Sequence, residues 1–237
     1  FECHSVGFSK VADNGGFDYV SATEKWQLPA PKAGNWVALL KDKPAVAELA
    51  TIQCENCHGP NKSPAHPAMN DATKAKKLRK SFSYQVCAQC HDEKPLHYKV
   101  DHWLNSAHAK ADLALAQATF EKRGTTAAHC GRCHSGQGFA LYAKQLAKGV
   151  TGNLTKADGS AADEAFLRDL GLQTDTVQPQ TCAACHDPHD ATNPNQLRVY
   201  DKIAALPNGL KDIAGVGKGA LCMACHNTRN GEHNDFV

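Results

Sequence analysis

Cys182-Ala183-Ala184-Cys185-His186 carries a spacing that this chain uses five times. The other instances are Cys54 to His58, Cys87 to His91, Cys130 to His134 and Cys222 to His226, each of the form Cys-x-x-Cys-His. Two thiols three positions apart can each add across a vinyl group of a porphyrin. The residue that follows then lies beneath the iron, where an imidazole nitrogen coordinates it. The spacing is that of covalently attached c-type haem. Paired Cys-x-x-Cys units also build tetrahedral zinc sites, and cysteine pairs also make disulfide frameworks. Neither gives a reason for a histidine after every pair. With 13 His among 237 residues, five such coincidences would arise by chance roughly once in two million.

The eleventh cysteine, Cys3, is followed by His4. Phe1-Glu2-Cys3-His4 reads as the last four residues of a sixth motif whose first thiol precedes the numbering, so the sequence is expected to be a segment of a longer chain. The cofactor-binding thiols are then Cys3, Cys54, Cys57, Cys87, Cys90, Cys130, Cys133, Cys182, Cys185, Cys222 and Cys225. The proximal ligands are His4, His58, His91, His134, His186 and His226.

Seven histidines remain: His66, His97, His102, His108, His129, His189 and His233. Bis-histidine ligation of six haems would use six of these seven, with His97 and His102 competing to be the spare. Met69 and Met223 are the only methionines, so His/Met ligation, which raises the potential, can serve two irons at most. Met223 lies inside its own attachment motif, on the wrong side for that role.

Sequence distance constrains which iron each distal histidine serves. His189 follows His186 by three residues, and a chain that spans roughly 3.3–3.6 Å per residue cannot pass round a porphyrin edge in that length. His189 is therefore expected to ligate a neighbouring haem, and His129, immediately before Cys130, meets the same obstruction. His66 and His233, eight and seven residues after their proximal histidines, have just enough chain to reach round their own haem, though neighbouring haems suit them better. His108, in the helical run Trp103-Leu104-Asn105-Ser106-Ala107-His108-Ala109, is the clearest distal ligand.

Composition agrees with a core made largely of cofactor. Aromatic residues are 7% of the chain and its mean hydropathy is −0.47. Six haems leave roughly 40 residues each, too few for a private fold. The expected fold is mostly irregular with short α-helices, wrapped around a closely packed haem chain, with little or no β-sheet. Residues 103–122 give the strongest helical pattern (Trp103, Ala107, Leu113, Leu115, Ala118, Phe120), ended by Gly124. Shorter helices are expected at 138–148, at 161–170 with Ser160 as cap, and near 78–90 and 218–226. Residues 1–237 are expected to form one multihaem unit, with a loop or joint near 149–162, where Gly149, Gly152, Asn153, Asp158 and Gly159 fall.

The net charge of +2 carries little by itself. Lys74, Lys76, Lys77, Arg79 and Lys80 can offset haem propionates, and no aromatic pattern supports nucleic-acid binding. No apolar run has the length of a membrane span and no signal peptide is present. Phosphate-binding loops, His-Glu-x-x-His and nucleophile elbows are missing from the sequence.

Several segments resemble multihaem cytochromes of the cytochrome c554-like and outer-surface type from anaerobically respiring bacteria. The carriers are Cys3-His4-Ser5-Val6-Gly7-Phe8 with Gly15-Gly16-Phe17, Cys54-Glu55-Asn56-Cys57-His58-Gly59-Pro60 with His66, Trp103 to His108, and Cys185-His186-Asp187-Pro188-His189. The resemblance implies a complete attachment site at Cys3, export across the cytoplasmic membrane, and work in the periplasm or at the outer surface. The chain stops at Val237, soon after His233, which leaves open whether further haems follow.

These readings converge on electron transport by about six covalent haems, with redox proteins or an extracellular acceptor as partners and neighbouring cytochrome subunits as further ones. Two other classes stand beside it. A multihaem reductase or oxidase of nitrogen or sulfur oxyanions needs an iron with an open position, against which the histidine surplus and the lack of a Cys-x-x-Cys-Lys variant argue. A subunit of a polymeric cytochrome filament would instead spend the extra histidine on the next copy.

Overall fold

The computed structural model describes residues 3–8, 15–59, 81–92 and 98–227. His66, His97 and His233, with Met69 and the basic run Lys74 to Lys80, lie outside the described residues. Two compact units divide the chain, residues 1–81 with 86–97 and residues 82–85 with 98–237.

In the first unit an extended segment is stitched to the end of a helix. Val6 N–H donates to the Leu49 carbonyl at 2.8 Å, Thr51 N–H donates to the His4 carbonyl at 2.8 Å, and Ser5 pairs antiparallel with Ala50. Helix Phe17–Thr23 is joined to this seam by the Phe17 N–H, which donates to the Val6 carbonyl at 3.0 Å, helix Pro44–Leu49 leads into it, and helix Asn35–Asp42 packs on Pro44–Leu49. Pro44 suits the first turn of its helix, where its missing N–H would have no partner in any case. Phe17, buried against the edge of Trp26, and Val46 form the apolar centre. Helix Cys54–His58 follows, and helix Gln85–His91 contributes its residues from Val86 onward.

The second unit is built on helices Ala111–Ala118, Ala127–His134 and Gly136–Leu146; the second of these packs on the other two, and the third packs on Cys182–Cys185. Tyr142, Leu146, Leu154, Leu167 and Leu172 are fully buried in one continuous cluster. Each such side chain stabilises the unit by about 1.5–3 kcal/mol. Ser135 makes the turn between the second and third of these helices. Its hydroxyl donates to the Gly131 carbonyl at 2.8 Å and accepts the Gly138 N–H at 3.1 Å, capping the new helix. The crossing is so close that a Cβ on Gly138 would lie 2.2 Å from the Gly131 oxygen. Only glycine fits there.

Short helices, irregular connections and a single two-stranded antiparallel sheet, Ile203–Ala205 with Lys211–Ile213, make up the described residues. This is the architecture expected from the sequence. The run 103–122 is helical in pieces rather than continuous: Lys99–Leu104, a 3-10 turn at Ala107–Ala109, Ala111–Ala118 and Phe120–Arg123. The breaks fall where polar side chains bond to nearby carbonyls, Asn105 to Asp101, Ser106 to Trp103 and Thr119 to Leu115. Ser106, Lys110 and Thr119 are extended. Gly124, at φ 55°, ends the last piece as expected. Helix Glu164–Asp169 is capped by Asp163, whose carboxylate accepts the Phe166 N–H at 2.9 Å; Ser160 instead bonds to Asp158. The stretch 149–162 packs into the second unit through Leu154, with Thr155 paired to Ala161. Among the described residues no helix is long and apolar enough to cross a membrane.

Candidate haem attachment sites

A helical turn underlies every complete motif. Cys54–His58 is a helix by itself, Cys87 to His91 ends helix Gln85–His91, and Cys130 to His134 ends helix Ala127–His134. Cys182–Cys185 is one turn, and His186 leaves it in extended conformation. Cys222 lies in helix Gly219–Met223, whose turn continues through a 2.8 Å bond from His226 N–H to the Cys222 carbonyl. Side chains three and four apart share a face of a helix. Both thiols and the imidazole of a motif are thus displayed together, which is the arrangement covalent attachment and proximal ligation require. All eleven cysteines are outside disulfides. In chemistry and disposition these donors fit c-type haem.

Within the first unit, three of the motif segments meet. Asn56, between Cys54 and Cys57, donates its side-chain N–H to the Ser5 carbonyl at 2.8 Å, next to Cys3 and His4. Its Oδ1 accepts the Gln53 N–H at 2.8 Å and so fixes the first turn of the motif. Cys90 Sγ is 4.0 Å from the Cys3 carbonyl.

The second unit gathers the other three motifs. Gln180 Nε2 donates to the Cys133 carbonyl, and Gln180 itself stands two residues before Cys182. Trp103 Nε1 donates to the Gln180 carbonyl at 2.7 Å, and Thr181 Oγ1 to that of Phe82 at 2.6 Å. On the far side of the fourth motif, Arg198 Nε donates to the Ala183 carbonyl at 3.0 Å and its backbone N–H to that of Cys185 at 2.9 Å. Arg198 Nη1 also holds Asp187 Oδ2 at 2.6 Å. Gln180, Thr181 and Arg198 were not singled out by the sequence; they are ordinary polar types with no spacing signal of their own.

The thiols converge as well. Burial, with the Cys222 and Cys182 thiols nearby, pushes the Cys185 thiol up to about 11. A hydrogen bond with the Cys133 thiol, then burial, pushes Cys225 far above the ordinary thiol range. Three motifs distant in sequence therefore deliver their cysteines to one region.

The backbone sets the tautomer of one imidazole. His186 Nδ1 lies 2.7 Å from the Asn195 carbonyl, which only accepts, so Nδ1 carries the hydrogen and Nε2 offers its lone pair. His129 Nδ1 is 2.9 Å from Asn153 Oδ1. His189, with a side chain 75% exposed, has Nδ1 3.8 Å from Asp187 Oδ1. His102 stacks on Tyr98 at 6.5 Å between ring centroids. The rings of His108 and His226 lie 6.1 Å apart with planes inclined at 67°.

Residues 175–208 match the family described as Doubled CXXCH motif. This segment carries a c-type haem attachment site. The match takes in Cys182 to His186 together with Asn195 and Arg198, and it ends before Cys222. Haem binding and electron-transfer chemistry are what the motif indicates. No curated protein and no solved structure matches the chain.

Proposed function

We propose that this chain conducts electrons through about six covalently bound c-type haems with bis-histidine ligation, relaying them to an acceptor in the periplasm or outside the cell during anaerobic respiration. The observation that carries the proposal is that each Cys-x-x-Cys pair is set on a helical turn with its histidine directly after it, the His186 tautomer being fixed to present Nε2. Haem supplies one-electron redox chemistry when bound. The polypeptide's part is to hold the thiols and imidazoles in place, to orient the proximal rings through outer hydrogen bonds, and to bring several attachment sites close together. At the fourth motif Asn195 holds the ring of His186, and Gln180, two residues before Cys182, ties this site to the Cys133 carbonyl of the third motif. The proposed ligand set is His4, His58, His91, His134, His186 and His226 on the proximal side, with His66, His97, His102, His108, His129, His189 and His233 as the distal pool. Partners are redox proteins, an extracellular acceptor or further cytochrome subunits.

Potentiometric titration of the haem-loaded protein, followed by its visible spectrum, tests this. Fully low-spin haems titrating at potentials below those of His/Met cytochromes are expected. A large high-spin fraction that binds nitrite or hydroxylamine would overturn the carrier reading in favour of an enzyme.

A further inference from the structure

We infer that His108 and His226 are the two axial ligands of one iron, that of the haem attached through Cys222 and Cys225. The inference rests on the haem reading above and adds a specific ligand assignment to it. Two imidazoles bound through nitrogen on opposite sides of one metal, at bonds of about 2.0 Å, hold their ring centroids roughly 6 Å apart. The His108 and His226 centroids are 6.1 Å apart. Each ligand ring contains its own metal–nitrogen axis and is free to rotate about it, so an inclination of 67° is compatible with a shared axis.

Edge-to-face packing of aromatic rings covers the same range of distance, so the spacing needs support from the surroundings. Three features give it. His226 directly follows Cys225 and is held on the Cys222 turn by its own N–H, so its imidazole belongs to that attachment site. His108 is far from it in sequence, so the reach that excludes His129 and His189 from their adjacent haems does not constrain it. The turn Ala107–Ala109 that carries His108 is anchored: Ser106 Oγ donates to the Trp103 carbonyl at 2.7 Å, and Trp103 Nε1 bonds to Gln180. Both imidazoles are exposed, and the helices flanking His108 leave Leu104 and Leu113 44% and 55% exposed, apolar surface of the kind a porphyrin face covers.

The test uses the haem-loaded protein and three variants. In His108→Ala, intact mass should show every thioether retained, while the ferric spectrum gains one high-spin haem that added imidazole returns to low spin. In a Cys222→Ala/Cys225→Ala chain one haem is lost, and adding His108→Ala to that background should create no further high-spin iron. The native protein should show one strongly anisotropic low-spin ferric electron paramagnetic resonance signal, typical of steeply inclined ligand planes, and His108→Ala should abolish it. A new high-spin iron in the double-cysteine background would assign His108 to another haem and overturn the inference. So would a His108→Ala protein that stays wholly low-spin. Should the double-cysteine variant fail to fold, the structure of the haem-loaded native protein decides, since any sixth ligand other than His108 on the iron held by Cys222 and Cys225 is contrary. A native protein without covalent haem would defeat the underlying reading instead, and mass alone distinguishes that case.

Discussion

Arg198 and Asp187 form an ion pair at 2.6 Å in which the arginine side chain is only 10% exposed. The same guanidinium donates to the Ala183 carbonyl, so one residue ties the inside of the fourth motif to the residue just past its histidine. Arg198→Met should lower stability by about 2–3 kcal/mol, because charge-assisted bonds are lost and Asp187 is left half-covered without its partner. Arg198→Lys should not restore it, since an ammonium cannot reach both acceptors as the fork does. Denaturant unfolding of the haem-loaded variants, with mass confirming the attached haems, checks this.

The number of cofactors is a sharp prediction. Intact mass after denaturation should exceed that of the polypeptide by about six haems in the native chain. Cys3→Ala should remove one mass increment or leave that haem singly linked. A native excess of five would show that Cys3 and His4 are no attachment site.

Thiol chemistry in the haem-free chain gives a third expectation. With the Cys185 thiol pushed up to about 11, its thiolate at neutral pH is about a hundredfold scarcer than that of an ordinary cysteine. Alkylation of Cys185 should be correspondingly slow beside the exposed Cys54 and Cys222, and should accelerate with pH up to about 11. The folded value lies above the ordinary 9.0, so the haem-free fold keeps its full advantage below about pH 9 and loses it as pH rises toward about 11. Thioether formation removes the ionisable group, so the haem-loaded protein should lack this alkaline slope.

Gly138→Ala should be among the most damaging single substitutions. The added methyl would meet a backbone oxygen at 2.2 Å, which no rotamer change relieves. A loss of about 3 kcal/mol or more is expected, read as a fall in the unfolding midpoint of the haem-loaded protein. At the nearby Gly131 the tightest neighbour is a flexible Leu172 methyl at 3.0 Å, with Ala118 Cβ and Ser135 Oγ at an ordinary 3.6 Å, so alanine should be tolerated better there.

His189→Ala should leave every thioether intact and open one iron attached elsewhere in the chain, because three residues cannot carry His189 round the haem that His186 binds. Ferrous carbon monoxide binding counts the open sites. No new site, or one on the haem held by Cys182 and Cys185, would refute the crossed ligation.

Much of this molecule can be read from spacing. The motifs fall on helical turns because the i, i+3, i+4 relation is itself helical, and the scarcity of alternating patterns matches a sheet of two three-residue strands. The division of the run 103–122 was harder to see, since its apolar period continues across breaks made by Asn105, Ser106 and Thr119 bonding locally. Asp163 rather than Ser160 caps the later helix because that helix begins at Glu164, four residues past Ser160, whose side chain bonds to Asp158. Asn195, Gln180 and Arg198 were invisible for a different reason. Each acts across a fold-dependent distance on a backbone group or ring nitrogen, and no sequence period records such a bond.

The acceptor on His186 is a peptide carbonyl rather than a carboxylate. It settles which nitrogen keeps the proton without adding a negative charge, so the ring remains a neutral donor and does not drift toward imidazolate. Iron bound to such a ring keeps a higher potential than iron whose histidine leans on Asp or Glu. In the proposed haem chain, where the attachment chemistry is the same at every site, such outer partners would grade the irons and set a downhill direction along a row of otherwise equal stations.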